Sequence, residues 1–130
     1  MTHHKQNDDK AWVRLVEDAQ AEVDATRDGL PEELRTLALD IPVAFEHLPS
    51  RALMRDGIEP DTMGLFVGST FADEDHATLP PQIILYLDNI WEDADHDAEE
   101  YRFQVRQTLL HELGHYLGLD EEALQQRDLE

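Results

Sequence analysis

The sequence predicts an α+β domain in which helices pack against a small, mostly antiparallel sheet of three to four strands. Two observations predict this class. Apolar residues recur at helical spacing near both ends of the chain, and three short segments rich in β-branched and aromatic residues lie between them. The 130 residues contain no repeat and no linker, so they suit one domain over residues 1–130, of which 1–8 are expected to be disordered.

The first helix is expected over Asp8–Thr26, because Trp12, Val16, Ala19 and Val23 recur at helical spacing. The segment RDGLPEE then breaks the pattern, and its proline can begin a short second helix. Strands are expected in the segments IPVAFEHL, MGLFVGSTF and PQIILYLDNIW.

The third of these strands is introduced by Pro80 and Pro81. Proline cannot donate a hydrogen bond to a neighbouring strand, so the pair predicts an edge strand. We therefore expect the strand Gln82–Asp88 to bind an extended peptide along its edge.

The main helix is expected over Ala98–Leu117, close to the C-terminus. Its apolar residues drift slowly across one face, and the last aspartate of the acidic run EDADHDAEE is expected to cap its start. His111 and His115 fall on the opposite side of this helix, away from the apolar face.

The segment HELGH has the spacing of a metal site. Two histidines four residues apart lie on one side of a helix, where both imidazoles can bind one Zn²⁺ ion. Glu112 directly follows the first histidine, so its carboxylate can take a proton from a water that the metal activates. Gly118 can adopt a positive φ and end the helix, which allows a carboxylate shortly downstream to return to the metal.

The composition limits the possible partners. The chain carries 30 acidic residues against 10 lysines and arginines, a net charge of −20, so it is not expected to bind nucleic acid. It has no cysteine, which restricts any metal site to histidine and carboxylate ligands. No segment suits a membrane span or a signal peptide, and a cytoplasmic location is expected. No feature of the sequence indicates an oligomeric state.

Three segments resemble a known family: MGLFVG over Met63–Gly68, PPQIILY over Pro80–Tyr86, and VRQTLLHELGHYLGLDEEAL over Val105–Leu124. HELGHYLGLDE is similar to the extended zincin pattern HExxHxxGxx followed by an acidic ligand. The chain as a whole, over Ala11–Leu124, resembles the short bacterial zincin-like metallopeptidases. That resemblance implies a compact zincin-like fold, a metal site and a peptidase activity.

Carried over to this sequence, the resemblance makes His111 and His115 metal ligands and Glu112 the general base. The third ligand falls on Glu121, with Asp120 as the adjacent alternative. Metzincins also have a methionine-containing turn downstream, but no methionine follows Glu121 in this chain. The resemblance is therefore to zincin-like proteins in general.

Three functions are compatible with these residues. The first is a zinc-dependent peptidase. The alternative is a catalytically silent metal-binding module that serves regulation or interaction, in which Asp120 and Glu121 together close the site. The third is an acidic interaction domain that binds no metal. Zinc fits best, although a site of two histidines and a carboxylate also accepts Mn²⁺, Co²⁺ or Ni²⁺. The remaining histidines, including His47, His76 and His96, are expected to be ordinary surface residues.

Overall fold

The computed structural model describes the backbone of residues 2–68 and 80–118, and side chains from Asp9 onward. Within these ranges, five helices and three strands follow one another. They are α1 (Thr2–Asp28), α2 (Glu32–Ala38), β1 (Val43–Glu46), α3 (Arg51–Arg55), β2 (Gly64–Val67), β3 (Gln82–Tyr86), α4 (Leu87–Asp93) and α5 (Ala98–Leu117).

This architecture confirms the α+β class. Helix α1 begins at Thr2 rather than near Asp8, so residues 2–8, for which the sequence predicts disorder, have a helical backbone in the structure. None of the helices in the described ranges combines the length and the apolar character that crossing a membrane requires.

The three strands form a mixed sheet in the order β1-β3-β2. Strand β1 pairs with β3 in parallel, and β2 pairs with β3 antiparallel. The sequence predicts a mostly antiparallel sheet, but one of the two pairings among the described strands, that of β1 with β3, is parallel. A parallel pair needs a long crossover between its strands, and here the chain from β1 to β3 includes α3 and β2.

The predicted edge strand is the central strand of the sheet. Strand β3 pairs on both sides, with Val43–Glu46 and with Gly64–Val67, and Ile83, Leu85 and Tyr86 are fully buried. Pro80 and Pro81 precede the strand, so they remove no hydrogen bond from its pairing. A peptide cannot bind along the edge of Gln82–Asp88 because both edges of β3 are already occupied.

The strand predicted to continue to Trp91 ends at Tyr86, and helix α4 begins at the next residue. Leu87, Ile90 and Ala94 are buried, and their spacing of three and four residues is that of a helix. In the sequence, this short helical pattern cannot be distinguished from the apolar run that directly precedes it.

Helix α5 occupies the centre of the packing, where it contacts α1, α4, β2 and β3. Its predicted bounds are confirmed, and so is its cap: the side chain of Asp97 accepts a hydrogen bond of 2.8 Å from the backbone N–H of Glu100. Its inward face is formed by fully buried apolar side chains, among them Tyr101, Val105 and Leu109. The hydroxyl of Tyr101 donates a hydrogen bond of 2.8 Å to the carbonyl of Leu15 and so ties α5 to α1.

Replacing Asp97 by Ala should lower the free energy of unfolding by about 1 kcal/mol, because the first turn of α5 loses its capping acceptor. Urea denaturation followed by circular dichroism measures the change. Asp97→Ser should retain most of the stability. Glu99→Ala, which removes a negative charge from the same turn without removing the cap, should have a much smaller effect; equal losses in Asp97→Ala and Glu99→Ala would contradict the capping role.

Candidate metal centre

The last two turns of α5 present three potential metal ligands. His111 and His115 are exposed, whereas Glu112 between them is buried, with 6% of its surface accessible. This division follows from the helix: residues four apart share a side, and the residue after the first histidine is turned about 100° toward the core.

The three side chains converge. One potential ligand atom from each of His111, Glu112 and His115 lies within 4.8 Å of the other two. The two imidazole rings meet edge to face, with centroids 4.6 Å apart. A carboxylate oxygen of Glu112, Oε1, lies 3.4 Å from Nδ1 of His115. Among the described residues, this is the one group of three or more acidic, histidine or cysteine side chains with such geometry.

Gly64, the first residue of β2, makes room for Glu112. A Cβ atom at position 64 would lie 2.5 Å from Cγ2 of Thr108 and 3.3 Å from Cγ of Glu112. The first distance is shorter than real contacts allow, so the strand can approach α5 this closely only with glycine at this position. Sequence reasoning missed Gly64 and Thr108 as parts of the site. The signal available was a glycine at the start of a predicted strand, which can mark close backbone approach.

Strand β2 is held on α5 by a second contact on the same side of the helix. The ring of Tyr116 is buried and lies 5.7 Å from the ring of Phe66, measured between centroids. Tyr116 therefore packs against the sheet. The pair and the Gly64 contact fix the strand beside the helix turns that carry the histidines.

Helix α5 ends as predicted. Gly118 has φ 73° in the left-handed region, and its N–H bonds back to the carbonyls of Gly114 and His115. The chain thus turns away from the helix axis three residues after His115. Asp120 and Glu121, the two candidates for a third ligand, lie outside the described residues.

The other histidines lie away from this centre. Nδ1 of His47 lies 3.1 Å from the carboxylate of Asp88, and Nε2 of His96 lies 2.8 Å from that of Glu92. Both side chains are more than half exposed, but each ring stacks on a tryptophan, His47 on Trp12 and His96 on Trp91. They are therefore packed surface residues. His76 lies outside the described residues.

The chain belongs to the zincin-like metallopeptidase family, whose model matches residues 38–130. This confirms the family that the sequence motifs predict, although the match begins after α1. A comparison with curated proteins found no match. The family implies a metal ion, and two exposed imidazoles converging beside a buried carboxylate suit one.

Replacing Gly64 by Ala should lower the free energy of unfolding by about 1–3 kcal/mol, because the added methyl group overlaps Thr108. The variant Gly64→Ala, Thr108→Ser should recover much of this loss, since serine lacks the Cγ2 atom. Gly29→Ala is the control, as a Cβ there meets its nearest atom at an ordinary 3.4 Å. Chemical denaturation measures all four proteins, and no rescue by serine would contradict the close approach.

Proposed function

We propose that this chain is a zinc-dependent metallopeptidase that hydrolyses peptide bonds. The observation that carries the proposal is the arrangement of Glu112, a buried carboxylate between two exposed histidines, beside a strand that lies at the edge of the sheet among the described residues. Membership of the zincin-like family supports the same chemistry.

His111 and His115 would hold the metal ion, together with Glu121 or, as the alternative, Asp120. Glu121 is favoured because its position corresponds to the third ligand of the extended zincin pattern and its side chain reaches further. Three protein ligands leave one position open on a tetrahedral ion, which a catalytic site needs and a structural site does not. A bound zinc ion would act as a Lewis acid that polarises the scissile carbonyl and acidifies the attacking water.

Glu112 is the proposed general base. Its carboxylate takes a proton from the attacking water and later delivers it to the nitrogen of the leaving amine. Gly64 lets β2 lie against the stem of Glu112, since an added Cβ atom there would come within 3.3 Å of Cγ of Glu112. A carboxylate whose orientation is set before the reaction begins transfers a proton more efficiently than a mobile one.

We further propose that the peptide binds in an extended form along strand β2, in place of the edge of β3 that the sequence suggested. In the part of the chain that the structure describes, β2 pairs on one side only, with β3. Strand β2 also contacts α5, and Gly64 on it touches Glu112, so a peptide on its free edge would pass beside the proposed base. Backbone hydrogen bonds to such an edge are a common means of peptide recognition.

The cytoplasmic location stays a prediction of the sequence.

Metal analysis and one conservative substitution test the proposal. Purified untagged wild-type protein should contain about one zinc ion per chain by plasma mass spectrometry, and the His111→Ala, His115→Ala double variant should contain none. Glu112→Gln should retain the metal but lose hydrolysis of a peptide library by at least about a hundredfold, because glutamine cannot accept the proton from water.

The outcomes separate the candidate functions. Full zinc content without cleavage in the wild type would favour the catalytically silent metal-binding module. Cleavage that survives Glu112→Gln would exclude Glu112 as the base. A wild-type protein that binds no zinc even after incubation with the ion would contradict the metal site altogether.

Replacing Glu121 by Ala should weaken zinc binding by about 10–100-fold, whereas Asp120→Ala should change it little, since only the third ligand contributes directly to affinity. Competition with a chromophoric chelator measures both affinities. A larger loss in Asp120→Ala would assign the third ligand to Asp120. Comparable losses in both variants would indicate that the two carboxylates close the site together.

A further inference from the structure

A second concave site lies at the opposite end of α5 from the histidines. A groove of about 820 Å³ opens between α1, the end of β1, the start of α4 and the first turns of α5. Its volume falls within the range of ligand-binding sites. Ala98 and Arg102 line it, and at 1.5 Å per residue they lie roughly 20 Å and roughly 14 Å along the helix from His111. Helix α1 lies outside the residues matched by the family model.

The walls of the groove are aromatic and fixed. Trp12 on α1 stacks on His47 with ring centroids 3.8 Å apart, and His47 in turn contacts both carboxylate oxygens of Asp88 at 3.1 Å. Trp91 on the other side meets Tyr101 edge to face at 5.5 Å. Both tryptophans of the chain therefore line this groove, and each is half-buried against a neighbouring ring.

The same groove contains two half-buried carboxylates, those of Asp18 and Asp88. Both carboxylates influence the same buried side chain, that of Tyr101. Burial raises the pKa of Tyr101, and the negative charges of Asp18 and Asp88 raise it further. The hydroxyl of Tyr101 donates its hydrogen bond to the carbonyl of Leu15, so it does not donate to either carboxylate. Within the described ranges, Asp18 has no hydrogen bond and no ion pair.

Two cationic residues also line the groove, Arg14 and Arg102, and both are exposed. Neither forms an ion pair with Asp18 or Asp88 among the residues that the structure describes. Exposed guanidinium groups are well screened by water, whereas half-buried carboxylates act through a medium of lower polarity. The carboxylate of Asp18 is therefore left without an ion pair, among the described residues, in a groove that both indole rings line.

We propose that this groove binds an arginine side chain of a basic peptide or protein. A guanidinium group is planar, stacks on indole, and can donate two hydrogen bonds to one carboxylate. Asp18 would accept those bonds, while Trp12 and Trp91 would enclose the alkyl stem and the guanidinium face. The net charge of −20 would attract such a partner from a distance. The proposal is independent of catalysis at Glu112.

The two tryptophans provide a direct readout. Zinc-free Glu112→Gln protein, which cannot cleave the probe by the proposed mechanism, is titrated with a capped pentapeptide that has arginine at its centre. Binding should change tryptophan emission, and the effect should weaken as salt is raised. The matched probe contains citrulline, which has nearly the same shape without the charge, and it should bind at least about tenfold more weakly. A third peptide has glutamate at the centre.

Variants locate the binding. Asp18→Asn should weaken affinity for the arginine peptide about tenfold by calorimetry, because a charge-assisted hydrogen bond is lost. Glu17→Gln removes the same charge from the neighbouring, exposed position on α1 and should leave affinity within about twofold. Circular dichroism verifies that both variants remain folded, and Asp88→Asn provides a second test if Asp18→Asn is unstable.

Four results would overturn the proposal. The first two are no emission change with the arginine peptide and equal affinity for the citrulline peptide. The third is equal losses in Asp18→Asn and Glu17→Gln, which would mean that the overall charge, rather than the groove, attracts the peptide. The fourth is tighter binding of the glutamate peptide, which would assign the groove to Arg14 and Arg102 instead.

Discussion

The close approach of β2 to α5 at Gly64 is the contact on which the proposed active site depends. It places β2, an edge strand of the sheet among the described residues, beside the helix that carries His111 and His115, and against the stem of Glu112. A metal-ligand spacing on an isolated helix provides two histidines and nothing more. In the proposed function, the strand would add a surface for a peptide and would help to orient the carboxylate, two features that a peptidase needs beyond its metal.

Local sequence patterns predicted the site helix well. The bounds of α5, its Asp97 cap and its termination at Gly118 all depend on residues within a few positions of one another, and all were confirmed. The convergence of His111, Glu112 and His115 is likewise a property of helical spacing. Phe103 on the same helix is about half exposed, although helical spacing alone would put it beside the apolar face.

The errors arose where structure depends on contacts between distant segments. The proline pair before β3 predicted an edge strand. The position of a strand in a sheet depends, however, on how well both of its faces can be buried. Both faces of β3 are apolar and buried, which suits the centre of the sheet. The contact of Gly64 with Thr108 joins residues 44 positions apart and has no local signature. The groove between α1 and α4 is invisible to sequence reasoning for the same reason, and the sequence gives no sign that His47, a surface residue, stacks on Trp12.

The position of the histidines within α5 has an electrostatic consequence. His115 lies in the last turn of a 20-residue helix, where the aligned peptide dipoles leave a partial negative charge on the final carbonyl groups. Gly118 bonds to only two of those carbonyls, those of Gly114 and His115. A cation placed at this helix end gains about 0.3–1 kcal/mol from the backbone alone. The peptide backbone of α5 thus favours positive charge at the end that carries His115 before any side chain contributes.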